Sequence, residues 1–125
     1  MFDHNKILLV EDHAESRRIL SFLLRRKGFC VVDGATVAEG VAGISNQAVA
    51  LLDLDLPDGF GTEVLAQIRK QSHHTKVAFI TAVSDPERLS RLMALSADAV
   101  FKKPIDFNVI LDWINKAVEP LPAVA

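Results

Sequence analysis

Five short apolar runs punctuate the chain at similar intervals: Ile7 to Val10, Cys30 to Val32, Val49 to Leu52, Val77 to Ile80 and Ala99 to Phe101. Each is nearly continuous rather than alternating. A strand reads this way when helices cover both faces of a parallel sheet. Between the runs the apolar positions take helical spacing. Ile19, Leu20, Leu23 and Leu24 form one stripe, Val64, Leu65 and Ile68 a second, and Leu89, Leu92 and Met93 a third. Phe107, Ile110, Leu111, Ile114 and Val118 follow i, i+3, i+4, i+7, i+11, a clean amphipathic face.

Polar residues mark the joints. Thr36-Val37-Ala38-Glu39 and Ser84-Asp85-Pro86-Glu87 have capping-box spacing for the second and fourth helices. Asp106 is placed to cap the fifth, and Gly28 sits where the first should stop. The order is therefore β-α five times, which implies a parallel sheet with right-handed crossovers. Periodicity leaves strand order open. The compact five-stranded solution is α/β and flavodoxin-like, a doubly wound (βα)5 fold with strand order 2-1-3-4-5.

Composition narrows the function. At 125 residues the chain has room for one core only. Residues 1–118 read as that domain; 119–125, with two prolines and no helical pattern, read as a tail or the start of a linker. Half the residues are apolar, which argues against disorder. The net charge of -2 disfavours direct nucleic-acid binding. No apolar run approaches the ~18 residues that suggest a membrane span, and the N-terminus lacks the basic flank of a signal peptide. With a single cysteine, Cys30, no internal disulfide can form. A cytoplasmic protein is expected, with Cys30 buried and inert in its strand.

In open α/β sheets ligands bind beyond the carboxyl ends of the strands, at the switch point. Glu11 and Asp12 follow the first run, Asp53 closes the third, Thr81 follows the fourth, and Lys102, Lys103 and Pro104 follow the fifth. With strands 1 and 3 adjacent, three carboxylates share one crevice. They raise one another's pKa or need a cation. An all-oxygen set without Cys or His suits Mg²⁺. Thr81 lies one strand over, and Lys103 two, roughly 10 Å away by strand spacing, a gap its long stem can close. A carboxylate nucleophile, a metal, a hydroxyl and an ammonium group together suit phosphoryl transfer.

Four segments in order now carry a resemblance: Ile7-Leu8-Leu9-Val10-Glu11-Asp12, Leu51-Leu52-Asp53-Leu54-Asp55-Leu56-Pro57-Asp58-Gly59, Phe79-Ile80-Thr81-Ala82 and Lys103-Pro104-Ile105-Asp106. The chain resembles a response-regulator receiver domain of two-component systems, of the chemotaxis-regulator (CheY-like) type, over residues 6 to 118. The resemblance implies that Asp53 accepts a phosphoryl group from a sensor histidine kinase or phosphotransfer protein. It implies that Glu11, Asp12 and Asp53 hold Mg²⁺ together with the backbone carbonyl of Asp55. Thr81 and Lys103 would bind phosphoryl oxygens, the Lys103-Pro104 bond would be cis, and Gly59 would serve the turn after the third strand. Such a protein is a switch with self-catalysed phosphotransfer and dephosphorylation, not a turnover enzyme. Its helix 4/strand 5/helix 5 surface would address an output domain or a second copy. One departure stands out. Val100 occupies a position that is commonly aromatic, and Phe101 points to the opposite face. Altered coupling of Thr81 to that surface is therefore expected, and Val83 and Asp55 are placed to tune phosphoryl lifetime.

Other readings compete. Asp53 and Asp55 also match the Asp-x-Asp of a haloacid-dehalogenase-type phosphatase. That family, however, has the motif after its first strand and an acidic pair after the lysine, the reverse of the order here. A receiver-like binding module that never needs phosphate is a third reading. Asp12, with Glu15 three residues on, also fits a helix N-cap. Thr81 can simply bond backbone. His73 and His74 fall in a loop at the far end from the carboxylates, His13 lies on the surface at a helix start, and Lys102 is solvated. Val109 and Trp113 flank the stripe of the last helix, so that they either pack under helix 4 or extend an apolar surface patch for a partner.

Overall fold

The computed structural model describes residues 3–72 and 74–118. His73 and the 119–125 segment lie outside them. Five parallel strands form the sheet: β1 (Asp3–Val10), β2 (Cys30–Gly34), β3 (Gln47–Asp53), β4 (Lys76–Thr81) and β5 (Ala99–Lys102). Their order is β2-β1-β3-β4-β5, as the repeat predicts for the flavodoxin-like fold. A two-residue hairpin, Asp55–Leu56 against Gly59–Phe60, follows β3. Five helices alternate with the strands: α1 (Ala14–Arg26), α2 (Val37–Ala42), α3 (Gly61–Gln71), α4 (Pro86–Ala94) and α5 (Phe107–Val118).

The period-two geometry of strands splits the core in two. Leu8, Val10, Ala50, Leu52, Val77 and Phe79 face α2, α3 and α4, where they meet Val64, Leu65, Ile68 and Leu92. Ile7, Leu9, Val49, Leu51, Ala78 and Ile80 face α1 and α5, where they meet Leu20, Leu24, Ile110 and Ile114. β3 is buried along its whole length, which accounts for its unbroken apolar run. Each of these large aliphatic side chains contributes about 2 kcal/mol by leaving water.

β2 departs from the expectation of cover on both faces. It is an edge strand, Val32 is 43% exposed, and Cys30 is exposed rather than buried. An apolar run reports strand propensity, while cover depends on having neighbours on each side. The stripe on α1 is also narrower than its spacing suggests. It centres on Leu20 and Leu24, one helical turn apart, while Ile19 is 53% exposed.

Two caps fall one residue later than their spacing suggests. His13, not Asp12, caps α1, its ring nitrogen accepting from the Ser16 N–H. Asp85, not Ser84, caps α4 and accepts from the Glu87 N–H. Pro86 takes the first helical position, and a residue before proline avoids helical geometry, so Asp85 is the natural boundary. The others match. Thr36 accepts from the Glu39 N–H, Asp106 accepts from the Asn108 N–H, and the chain turns at Gly28 after α1. No helix among the described residues is long and apolar enough to cross a membrane.

Candidate functional site

Register alone brings the acidic residues together. Val10 pairs with Leu52 across β1 and β3, so the next residues, Glu11 and Asp53, emerge side by side at the carboxyl end of the sheet. Glu11 is fixed further because its N–H donates to the Gly34 carbonyl at 3.0 Å and its carbonyl accepts from Arg17 at 2.8 Å. Asp12, released from capping, is exposed beside them. One carboxylate oxygen from each of Glu11, Asp12 and Asp53 lies within 4.8 Å of the others.

Lys103 closes the group. It leaves β5 through a main-chain hydrogen bond from its N–H to the Thr81 carbonyl (2.9 Å), and the following Lys103-Pro104 bond is cis. Its Nζ stands 2.8 Å from Glu11 Oε1 and 3.2 Å from Asp53 Oδ2. The stem does close the gap of two strand spacings to Asp53.

Three carboxylates against one ammonium group leave the cleft electrostatically strained. Burial pushes the Asp53 carboxyl up to about 7; the facing Glu11 adds to the rise, and Lys103 only partly opposes it. Burial also works to raise Glu11. It is outweighed by hydrogen bonds from Asp53 and Lys103, the Lys103 charge and the His13 N–H, and Glu11 sits below its ordinary value. Burial works to lower Lys103, but its two acidic partners hold it above its ordinary value. The two facing carboxyls are thus coupled, and their titration belongs to the pair. A donor set of clustered oxygens with excess negative charge, one member open to solvent, fits a hard divalent cation.

Other expected residues are placed differently. Thr81 is buried at the end of β4, where its hydroxyl accepts from the Val83 N–H at 3.0 Å, a bond to backbone of the kind its residue type favours. Its hydroxyl proton stays available to a ligand. The Asp55 side chain is exposed and turned away, pairing with Arg88 of α4 at 3.0 Å. That orientation removes the second carboxylate a dehalogenase-type phosphatase would need beside Asp53. Gly59 has φ of 154°, and a Cβ there would meet the Glu63 carboxylate. Gly61 was not anticipated. A Cβ there would run into the Asp53 carbonyl oxygen, so only glycine lets α3 start this close behind Asp53. Its only signal in the sequence is its place at a helix start.

On the distal surface, Val100 packs on the α2–α4 side and Phe101 on the α1–α5 side, as strand alternation requires. Trp113 does not lie under α4. It packs edge-on to Phe101, 5.7 Å between ring centres, because α5 and α4 cover opposite faces of the sheet. Val109 is 52% exposed.

Comparison with known proteins agrees with this geometry. Residues 7–115 match the family model of the response regulator receiver domain. The chain is 30% identical over 112 residues to a cyclic di-GMP phosphodiesterase of Thermotoga maritima, covering 90% of this chain and 30% of that protein. It is 28% identical over 115 residues to the cell cycle transcriptional regulator CtrA of Caulobacter vibrioides, covering 90% and 50%. It thus spans half or less of these two relatives. Its fold is similar to the crystal structure of a CheY-like receiver domain protein from Methanospirillum hungatei JF-1, with TM-score 0.84, 30% identity and coverage of 91% and 93%. The chain belongs to the response regulator receiver family, the signalling domains of two-component systems.

Proposed function

We propose that Asp53 is the phosphoacceptor of this receiver. Support comes from one observation above all: a buried carboxylate on the central strand, facing Glu11 and Asp12, with Lys103 Nζ 3.2 Å from its oxygen. An Asp53 oxygen attacks the phosphorus of a phosphohistidine on a sensor histidine kinase or phosphotransfer protein. The O–P bond forms as the P–N bond breaks, and the imidazole leaves with a proton. Asp53 must be ionised to attack, so the cations around it matter as much as its position. Glu11, Asp12, Asp53 and the Asp55 carbonyl would hold Mg²⁺, which supplies positive charge for Asp53 and the transferring oxygens. Lys103 stabilises another phosphoryl oxygen, and the Thr81 hydroxyl donates to a third. Glu11 keeps Lys103 aimed across the cleft.

On this reading the chain acts as a switch rather than a turnover enzyme, with residues 1–118 as the receiver unit and 119–125 as tail or linker. It works in the cytoplasm. Its output passes through the α4/β5/α5 surface, where Val109 and Trp113 offer apolar contact to an output domain or a second copy. Direct binding of nucleic acid or membrane is not part of this function. Incubation with acetyl phosphate and Mg²⁺, followed by intact-mass measurement, should show one added phosphoryl group. Asp53→Asn should show none. An unmodified wild-type protein would instead favour a phosphate-independent binding module, and continuous release of phosphate from many substrates a phosphatase.

A further inference from the structure

Helix α4 is fastened very differently at its two ends. Of its nine residues only Leu92 is buried. Beyond its C-terminal end the chain is held hard. Arg69 of α3 donates to the Ser96 carbonyl at 3.0 Å and to Asp98 at 3.1 Å. Asp98 and Val77 exchange two hydrogen bonds of 2.8 Å, and Ala97 is buried between. Nearer its start, where Leu89 packs on the core only half-buried, α4 has a single polar side-chain tie to the rest of the domain among the described residues: Arg88 Nη2 to Asp55 Oδ1, 3.0 Å. Asp55 stands two residues beyond Asp53, on the hairpin that leaves the cleft.

This arrangement is a lever with a fixed pivot at 96–98 and one light fastening at 88. We propose that the Arg88–Asp55 ion pair carries occupancy of the acidic cleft to helix α4. The inference rests on Asp53 being the phosphoacceptor, with Asp55 two residues from it at the start of the hairpin. Any displacement of the Asp55 backbone when the cleft is loaded is delivered through its side chain to Arg88, and so to the free half of α4. A second observation favours this route. Val100 is a short β-branched residue with a stiff χ1, so it offers no ring that could swing between two positions when Thr81 moves. A link through that residue to the α4 side is therefore weak. The ion pair is partly solvent-exposed, so its effect is modest but local.

Hydrogen exchange of the α4 amides from Leu89 to Ala94 reads the tie directly. In the unloaded protein Arg88→Ala should speed their exchange roughly two- to fivefold while the Asp98 amide, bonded to the Val77 carbonyl, stays protected. Adding Mg²⁺ and acetyl phosphate should change α4 exchange in the wild type. The change should vanish in Arg88→Ala and survive in Arg88→Lys, which keeps the charge. Intact mass on the same samples separates the two readings. If the adduct forms and α4 responds equally in Arg88→Ala, the tie is overturned and the phosphoacceptor stands. The tie is overturned equally if the adduct forms and wild-type α4 does not respond. If no adduct forms on the wild type, both fall.

Discussion

Each end of the β-sheet carries a knot of charge, and the two are built to opposite rules. At the carboxyl end Glu11, Asp12 and Asp53 face one ammonium group, and a buried carboxyl is driven toward neutrality. At the amino end Arg69 and Lys76 face Asp98, and the Arg69 guanidinium is closed by hydrogen bonds. The Arg69 guanidinium bonds the Thr75 carbonyl at 2.7 Å, the Ser96 carbonyl at 3.0 Å and Asp98 at 3.1 Å. It thereby joins α3, the start of β4 and the approach to β5. The difference teaches how to sort charged clusters. One closed by hydrogen bonds to main-chain and side-chain acceptors holds the fold, whereas one whose carboxylates outnumber its cations is a site awaiting a ligand.

Lys103→Ala tests the carboxyl end most severely. It removes the ammonium group that faces three carboxylates, and with it the cation aimed at a transferring oxygen. Losing one such preorganised donor costs on the order of 100-fold in rate. Phosphoryl uptake from acetyl phosphate, followed by intact mass, should slow by about that factor while the fold persists. Uptake at the wild-type rate would show that Lys103 serves only to pair Glu11.

The counterpart at the amino end is Arg69→Ala, whose effect should fall on stability instead. Three hydrogen bonds are lost, and two carbonyls and Asp98 lose their charged donor. A cost of about 2–3 kcal/mol in urea unfolding is expected, with the rate of phosphoryl uptake unchanged under conditions where the variant is folded. Equal effects of both variants on both measurements would erase the distinction between the two ends.

The surplus charge at the carboxyl end also has a pH signature. Folded Asp53 keeps its proton to about pH 7, whereas the unfolded carboxyl releases it near 3.8. Between these values the folded state binds more protons, so the contribution of Asp53 to stability falls as pH rises through that window and is level above it. Glu11, held below its ordinary value, works the other way. It stabilises the fold above the acid range and loses that contribution as pH falls. Asp53→Asn isolates the first effect. The variant should exceed the wild type by about 1–2 kcal/mol at pH 8, the rise from 3.8 to about 7 being discounted for solvent screening and for the Lys103 bond lost with the charge. The gap should close toward pH 4, and added Mg²⁺ should narrow it at pH 8 by binding the wild type. A variant less stable than the wild type at pH 8 would mean that the Lys103 ion pair outweighs the repulsion.

The two ends were unequally legible in the sequence. The acidic cleft could be read because each of its members closes an apolar run, and strand order then places them together. Glu11, Asp53 and Lys103 lie within one ion-paired group for this reason. Arg69, Ser96 and Asp98 gave no such signal. Their contacts depend on how α3 lies across a loop 27 residues further on, and no local pattern encodes that. The same holds for Arg88 and Asp55, 33 residues apart. Caps slipped by one residue at His13 and Asp85 because neighbouring polar residues compete for the same donor. Cys30 was misplaced because an apolar run does not say which strand ends at the sheet edge.

Within the amino-end cluster, energy should follow burial rather than formal charge. Lys76 and Arg69 both face Asp98, yet Lys76 Nζ stands 4.0 Å away with its side chain 51% exposed, against 21% for Arg69. An exposed pair at that distance is screened by water, and ordering the long lysine stem offsets most of the attraction. Lys76→Ala should therefore change unfolding free energy by less than about 0.5 kcal/mol and lose even that in high salt. Asp98 would keep Arg69 and the Val77 N–H as partners, so no buried acceptor is stranded. Parity between Lys76→Ala and Arg69→Ala in the same urea titration would mean that net charge, not hydrogen-bonded closure, holds this end of the sheet.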